Sequence, residues 1–180
     1  MGSISLRIEF VSINSNNIAA VTLQENNAIV VVDLATASVM TSFDAGSVNL
    51  HKIDNIEDGI INQTATIDAV PREADGLTWI DTDHIVTADE GDMNGGSRGF
   101  TIYHHSGNVV YSSGNAAEQL VARIGHYLDE RSENKGNEPE NVLSSLAGFA
   151  HEVRIHCHVG SASCTQSVAS VGSLPPGSSE

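Results

Sequence analysis

Val86-Thr87-Ala88-Asp89-Glu90-Gly91-Asp92-Met93-Asn94-Gly95-Gly96-Ser97-Arg98-Gly99-Phe100-Thr101-Ile102-Tyr103 reads as a short strand, an acidic glycine-rich turn and a second strand. Successive strand side chains point to opposite faces, so alternating apolar residues bounded by Gly, Asn and Asp suit an antiparallel pair. A second copy lies upstream, Val21-Thr22-Leu23-Gln24-Glu25-Asn26-Asn27-Ala28-Ile29-Val30-Val31-Val32-Asp33-Leu34. Both hold Val-Thr-x-x-Glu ahead of an apolar strand, at an offset of 65 residues (Val21 to Val86). A second anchor is an acidic residue opening a strand: Glu9-Phe10-Val11, Asp75-Gly76-Leu77 and Glu140-Asn141-Val142, spaced by 66 and 65 residues. Two of its three occurrences are longer, Arg72-Glu73-Ala74-Asp75-Gly76-Leu77 and Asn137-Glu138-Pro139-Glu140-Asn141-Val142. Two anchors at one period define an internal repeat.

Working outward, the first unit predicts strands at 10–13, 18–23, 28–34 and 39–43, separated by Asn-rich turns that supply the positive φ of tight hairpins. The second predicts strands at 77–80, 84–88, 100–104 and 109–112, with a 91–98 loop five residues longer than its upstream counterpart. Four consecutive antiparallel strands make a propeller blade. The expected fold is therefore all-β: a partial β-propeller of about two four-stranded antiparallel blades with one short inserted helix. Residues 9–142 hold the partial propeller, with units at 9–74 and 75–139 and the start of a third. Trp79 is expected between blades, and 44–72 reads as a long polar connector. The helix falls at 116–129, with Leu120, Val121, Ile124 and Leu128 as its apolar stripe and Glu118, Arg123 and Glu130 outside it. A third Val-Thr-x-x-Glu is due near residue 151, but His151-Glu152-Val153-Arg154-Ile155 occupies that place. Residues 143–180 accordingly read as a divergent, poorly ordered tail.

Charge narrows the function. Lys+Arg number 8 against Asp+Glu 23, a formal net charge of −15, which opposes binding to nucleic acid or an anionic membrane surface. No apolar run approaches the roughly 20 residues that a membrane span needs. The start of the chain lacks the basic and apolar regions of an export signal. Two cysteines, Cys157 and Cys164, make no disulfide framework for a chain of this length.

Residues 18–34 resemble the signature of the choice-of-anchor I family, and 72–76, 87–92, 96–103 and 125–140 are similar to further segments of it. These are bacterial secreted or surface β-propellers, often labelled alkaline-phosphatase-like or esterase-like phytases, and they include mesenchyme-specific cell-surface glycoproteins of biomineralisation. The resemblance spans about 9–142. It implies an extracellular or cell-surface parent protein with a closed propeller and a variable C-terminal anchor. This chain departs from it in holding about two blades, in lacking an export signal, and in losing the motif after Val142. A fragment of a longer reading frame, shifted near residue 142, accounts for all three; a short divergent protein is the alternative. Two blades alone would leave uncovered sheet edges and faces, and hence marginal stability.

The repeat concentrates carboxylates. Glu25 and Glu90, Glu73 and Glu138, and Asp75 and Glu140 occupy equivalent places in successive units, so they could converge at a channel mouth. Glu90, Asp92, Glu73, Asp75, Glu138 and Glu140 are candidate ligands for Ca²⁺ or Mg²⁺, which prefer hard oxygen donors. Arg98, with its bidentate fork, and secondarily Lys135 are candidates for contacting a phosphorylated small molecule. The alternative is structural: Asp and Glu at turns commonly accept backbone N–H bonds or pair with a neighbouring cation. His104 and His105, adjacent on a strand, are expected to face opposite sides. His151, His156, Cys157, His158 and Cys164 lack a usual zinc spacing. No nucleophile motif is present. Two functions follow: a binding or scaffold module of a surface propeller, partnered by the remaining blades and by divalent cations, or a metal-dependent phosphoester hydrolase.

Overall fold

The computed structural model describes residues 6–147, 150–159 and 162–171. β1 (Val11–Ile13), β2 (Ile18–Leu23), β3 (Ala28–Asp33) and β4 (Ser38–Asp44) form an antiparallel sheet in chain order. Asn14 shapes the first hairpin, its Oδ1 accepting the amides of Asn16 and Ile18 at 2.9 and 3.1 Å. The connector expected after this blade is instead a β-hairpin, β5 (Ser47–Ile53) with β6 (Ala65–Pro71). Leu50, Ile53 and Val70 give that hairpin its own small core. Then come β7 (Ala74–Trp79), β8 (His84–Asp89), β9 (Gly99–His104) and β10 (Val109–Ser112), again antiparallel and in chain order. The chain is thus all-β, with two four-stranded antiparallel blades of the kind the repeat implies.

One helix follows, α1 (Ala116–Arg123), shorter than the apolar stripe suggested. Gly125 at φ +75° takes the chain out of helical geometry, so Leu128 never joins the stripe. Val121 is buried, but Leu120 and Ile124 are exposed, and Glu118, expected outside, is fully buried. The helix is turned so that a carboxylate, not a leucine, faces inward.

β11 (Pro139–Ala147), β12 (Ala150–Val159) and β13 (Ala162–Val171) form a third antiparallel sheet. They begin at 139, 150 and 162, against 74, 84 and 99 for β7, β8 and β9. The backbone repeat therefore continues where its sequence motif stops, and much of the segment expected to be a poorly ordered tail is paired strand. Residues 172–180 lie outside the described residues. Alternation accounts for these strands: Val153, Ile155 and Cys157 are buried, while Arg154 between them is exposed.

The three sheets stack. Ala20 and Val31 of the first, with Phe10, Ile18 and Phe43, pack on Leu77, Trp79 and Ile85 of the second. Trp79 lies between blades as its sequence context implied, and its Nε1–H donates to Ser12 O at 3.1 Å. The opposite face of the second blade, with Val86, Ala88, Phe100 and Ile102, packs on Val121, Tyr127, Val142, Val153 and Ile155. Gly76 permits close approach of β7 to β11: a Cβ there would meet Glu140 O at 2.7 Å and Asn141 Cα at 2.8 Å.

Candidate functional site

In the second and third sheets the repeat puts one glutamate immediately before the first strand, Glu73 before β7 and Glu138 before β11. Both adopt left-handed backbone, φ 42° and 39°, a conformation that costs a non-glycine residue about 1–3 kcal/mol. Equivalent strain at equivalent positions marks these as one device used twice. Glu90 and Asp92 lie just beyond β8, at the same end of the blade. Gly91 at φ +68° makes the turn between them, where a Cβ would meet Ser97 N at 2.6 Å.

These carboxylates converge, and internal donors hold them. Glu73 Oε2 accepts the amides of Asp92 and Met93 at 2.6 and 2.9 Å. Glu90 accepts from Gln24 Nε2 at 2.8 Å and from Lys135 Nζ at 2.7 Å. Lys135 Nζ also pairs with Asp92 and lies 4.0 Å from Glu138 Oε1. Glu138 is gripped by Arg131, whose Nε donates at 3.0 Å. Partial burial works against the Lys135 ammonium, yet hydrogen bonds to Asp92 and Glu90 outweigh it and raise its pKa. Asp75 lies among these charges. Burial, then Glu90, Glu9 and Glu140, push its carboxyl up to about 6. The equivalence of Glu25 to Glu90 ends at sequence level, because Glu25 is exposed and pairs with Arg7 at 2.8 Å.

The carboxylates expected to hold Ca²⁺ or Mg²⁺ carry partners from within the protein. Lys135 supplies the positive charge beside Glu90 and Asp92, Glu73 Oε2 is engaged by two amides, and Glu138 by Arg131. Among the described residues, no group of three or more His, Cys, Asp or Glu has metal-binding geometry. What the cluster can do chemically is brace. Gln24, Glu90 and Lys135 link the first blade, the second blade and the loop leading to β11.

Arg98, expected at a phosphate, is enclosed instead. Its Nε donates to Gly95 O at 2.8 Å, NH1 to Asp54 O at 2.7 Å and Glu118 Oε2 at 2.9 Å, and NH2 to Ser132 O at 2.6 Å. Both Arg98 and Glu118 have fully buried side chains. Burial pushes Glu118 up to about 7 against the opposing pull of Arg98. A second buried carboxylate, Asp89, was not singled out in the sequence; it accepts from Thr87 Oγ1 and Thr101 Oγ1, each at 2.5 Å. Burial raises Asp89 to about 6, while Thr101, Thr87 and Arg72 oppose the rise. The signal for Asp89 was its inward parity with Thr87 in the Val-Thr-x-x-Glu strand. Glu118 carried no sequence signal, because the face that α1 turns inward is set by packing against the second blade. His104 and His105 also depart from expectation. His105 lies past the end of β9, so strand alternation does not apply, and the two ring centroids are 4.4 Å apart.

The choice-of-anchor I domain matches residues 5–95, from before β1 to the tip of the acidic turn. The chain belongs to the choice-of-anchor I family. The matched span covers Glu73, Asp75, Glu90 and Asp92, and stops short of Arg98, Lys135 and Glu138. Choice-of-anchor I membership implies a cell-surface or secreted protein and a surface-associated module. Among the described residues no helix is long and apolar enough to cross a membrane. No curated protein matches the chain.

Proposed function

We propose that this chain is a non-catalytic binding and scaffold module, a set of consecutive propeller blades that docks through the open face of its first blade onto another blade-type antiparallel sheet. One observation carries the reading. The outward face of the first sheet is aliphatic over its first three strands and reaches Val39 on the fourth: Val11 opposes Val21, Val21 opposes Val30, Ile13 opposes Ala19, Ala19 opposes Val32, and Val32 opposes Val39, while Ser42 opposes Val30. Val11, Ile13 and Val39 are 52%, 56% and 63% exposed. Such a face is what a sheet presents to a packing partner. Continuity of the stacking names the occupant: the second blade has an apolar sheet against each of its faces, so the same relation extended outward calls for a further sheet.

The rim carboxylates support a scaffold, since Glu73, Glu90 and Glu138 hold loops and blades together. The hydrolase alternative draws no support from this arrangement, because Arg98 and these carboxylates are engaged internally. Analytical ultracentrifugation of the full chain tests the reading. Wild type is expected to self-associate through this face, and Val21→Asp with Val30→Asp to sediment as a monomer with unchanged far-UV dichroism. A wild type that is monodisperse and monomeric, with no dye binding to exposed apolar surface, would overturn it.

A further inference from the structure

The end of the second blade opposite the acidic rim carries three imidazoles. His84 opens β8 and His104 closes β9, and the two are direct cross-strand partners. Their ring centroids are 5.8 Å apart with planes at 79°. Two imidazoles sharing one ion at about 2.0–2.1 Å per nitrogen place their centroids about 5–6 Å apart, and the 5.8 Å separation of this pair falls within that range. We propose that His84 and His104, through their Nε2 atoms, form a bidentate site for a divalent transition-metal ion of borderline softness, such as Zn²⁺ or Cu²⁺.

The other ring nitrogens are provided for. Asp81 Oδ1 and Oδ2 each lie 3.0 Å from His84 Nδ1, the carboxylate–imidazole relation that fixes a tautomer and increases ligand basicity. Ser106 Oγ lies 2.7 Å from His104 Nδ1 and can accept its proton when Nε2 is engaged. Ser106 N–H, 3.2 Å from the same nitrogen, is the weaker contact that yields.

Both rings sit on braced backbone. Asp81 Oδ1 accepts the amides of Asp83 and His84, each at 2.8 Å. His105 N donates to Asp83 O at 2.8 Å, tying the two turns together. The turn after His104 rests on the first blade, where a Cβ on Gly107 would meet Phe43 Cγ at 2.8 Å. A site on rigid elements loses little freedom on binding, which favours affinity. Imidazole selects borderline transition ions over hard ones, so the site discriminates against Ca²⁺ and Mg²⁺.

The test is calorimetric titration of the full chain with Zn²⁺, alongside amide NMR with trace Cu²⁺. His84→Asn and His104→Asn are each expected to weaken Zn²⁺ binding at least about tenfold, or roughly 1.4 kcal/mol. His156→Asn on β12 is expected to leave that binding in place. Cu²⁺ should broaden the amides of His84, His104 and Ser106 in wild type, a readout that needs no variant to fold. Unchanged affinity in both asparagine variants, or broadening confined to 151–158, would overturn the site. Ca²⁺ competing at equal concentration would also count against it.

Discussion

Arg98 and Glu118 meet at 2.9 Å inside the protein, and the guanidinium also satisfies the carbonyls of Gly95, Asp54 and Ser132. One side chain thus closes the acidic loop, the end of the β5–β6 hairpin, the helix and the segment before β11 onto one another. Breaking a buried pair by removing one partner leaves the other uncompensated, at a cost of about 3–5 kcal/mol. Arg98→Met keeps much of the volume and removes every donor. Urea denaturation should show it less stable by at least about 3 kcal/mol, well above what an exposed pair contributes. A loss under about 1 kcal/mol would mean that the pair is solvated and not structural.

Between elements, the closest approach is at Gly76. Its missing side chain lets β7 lie against the backbone of Glu140 and Asn141 in β11, the meeting of the first strands of successive sheets. Backbone cannot retreat as a flexible side chain can. Gly76→Ala should therefore separate the second blade from the third sheet, lowering stability by about 1–3 kcal/mol as over-packing does. The change should appear in amide exchange of β11 and β12 before that of β2 and β3, which do not share the contact. Uniform loss of protection over all three sheets would place the damage elsewhere.

At the scale of the whole molecule, three carboxylates are raised together: Asp75 and Asp89 to about 6 and Glu118 to about 7, from 3.8, 3.8 and 4.5. A carboxyl raised on folding contributes stability that is fully present below its unfolded value and is lost as pH rises through its folded value. All three therefore act in one direction, against a background net charge of −15. The melting temperature should rise as pH falls from 8 to about 5.5, whereas carboxyls lowered on folding would produce the reverse. Asp75 allows a specific check, since it is half-buried among like charges. Asp75→Asn should raise the melting temperature at pH 8 by about 2–4 °C, with a smaller gain at pH 5.5. Equal shifts at both pH values would sever the effect from titration.

The sequence by itself determined the blades. Two anchors at one period, Asn-rich turns and period-two alternation name β1–β4 and β7–β10, because strand formation and hairpin register depend on local chemistry. The same alternation in Glu152-Val153-Arg154-Ile155-His156-Cys157 was legible too, but it carries no Val-Thr-x-x-Glu, and a search tied to that motif passes over it. The convergence of Glu73, Glu90, Asp92 and Glu138 also followed from the repeat, since equivalent positions in stacked sheets fall at equivalent heights. Only the tertiary structure decided what they do there. Lys135 and Arg131 come from an irregular loop with no counterpart in the first unit, and no spacing rule places an ammonium between Glu90 and Asp92. Arg98 read as a ligand-binding residue because its guanidinium offers a bidentate fork; its burial depends on α1 presenting Glu118 inward, a choice of helix face set by packing against the second blade. Local patterns encode which residues pair along the chain. Which charge meets which depends on contacts between segments far apart in sequence, and those exist only once the sheets have stacked.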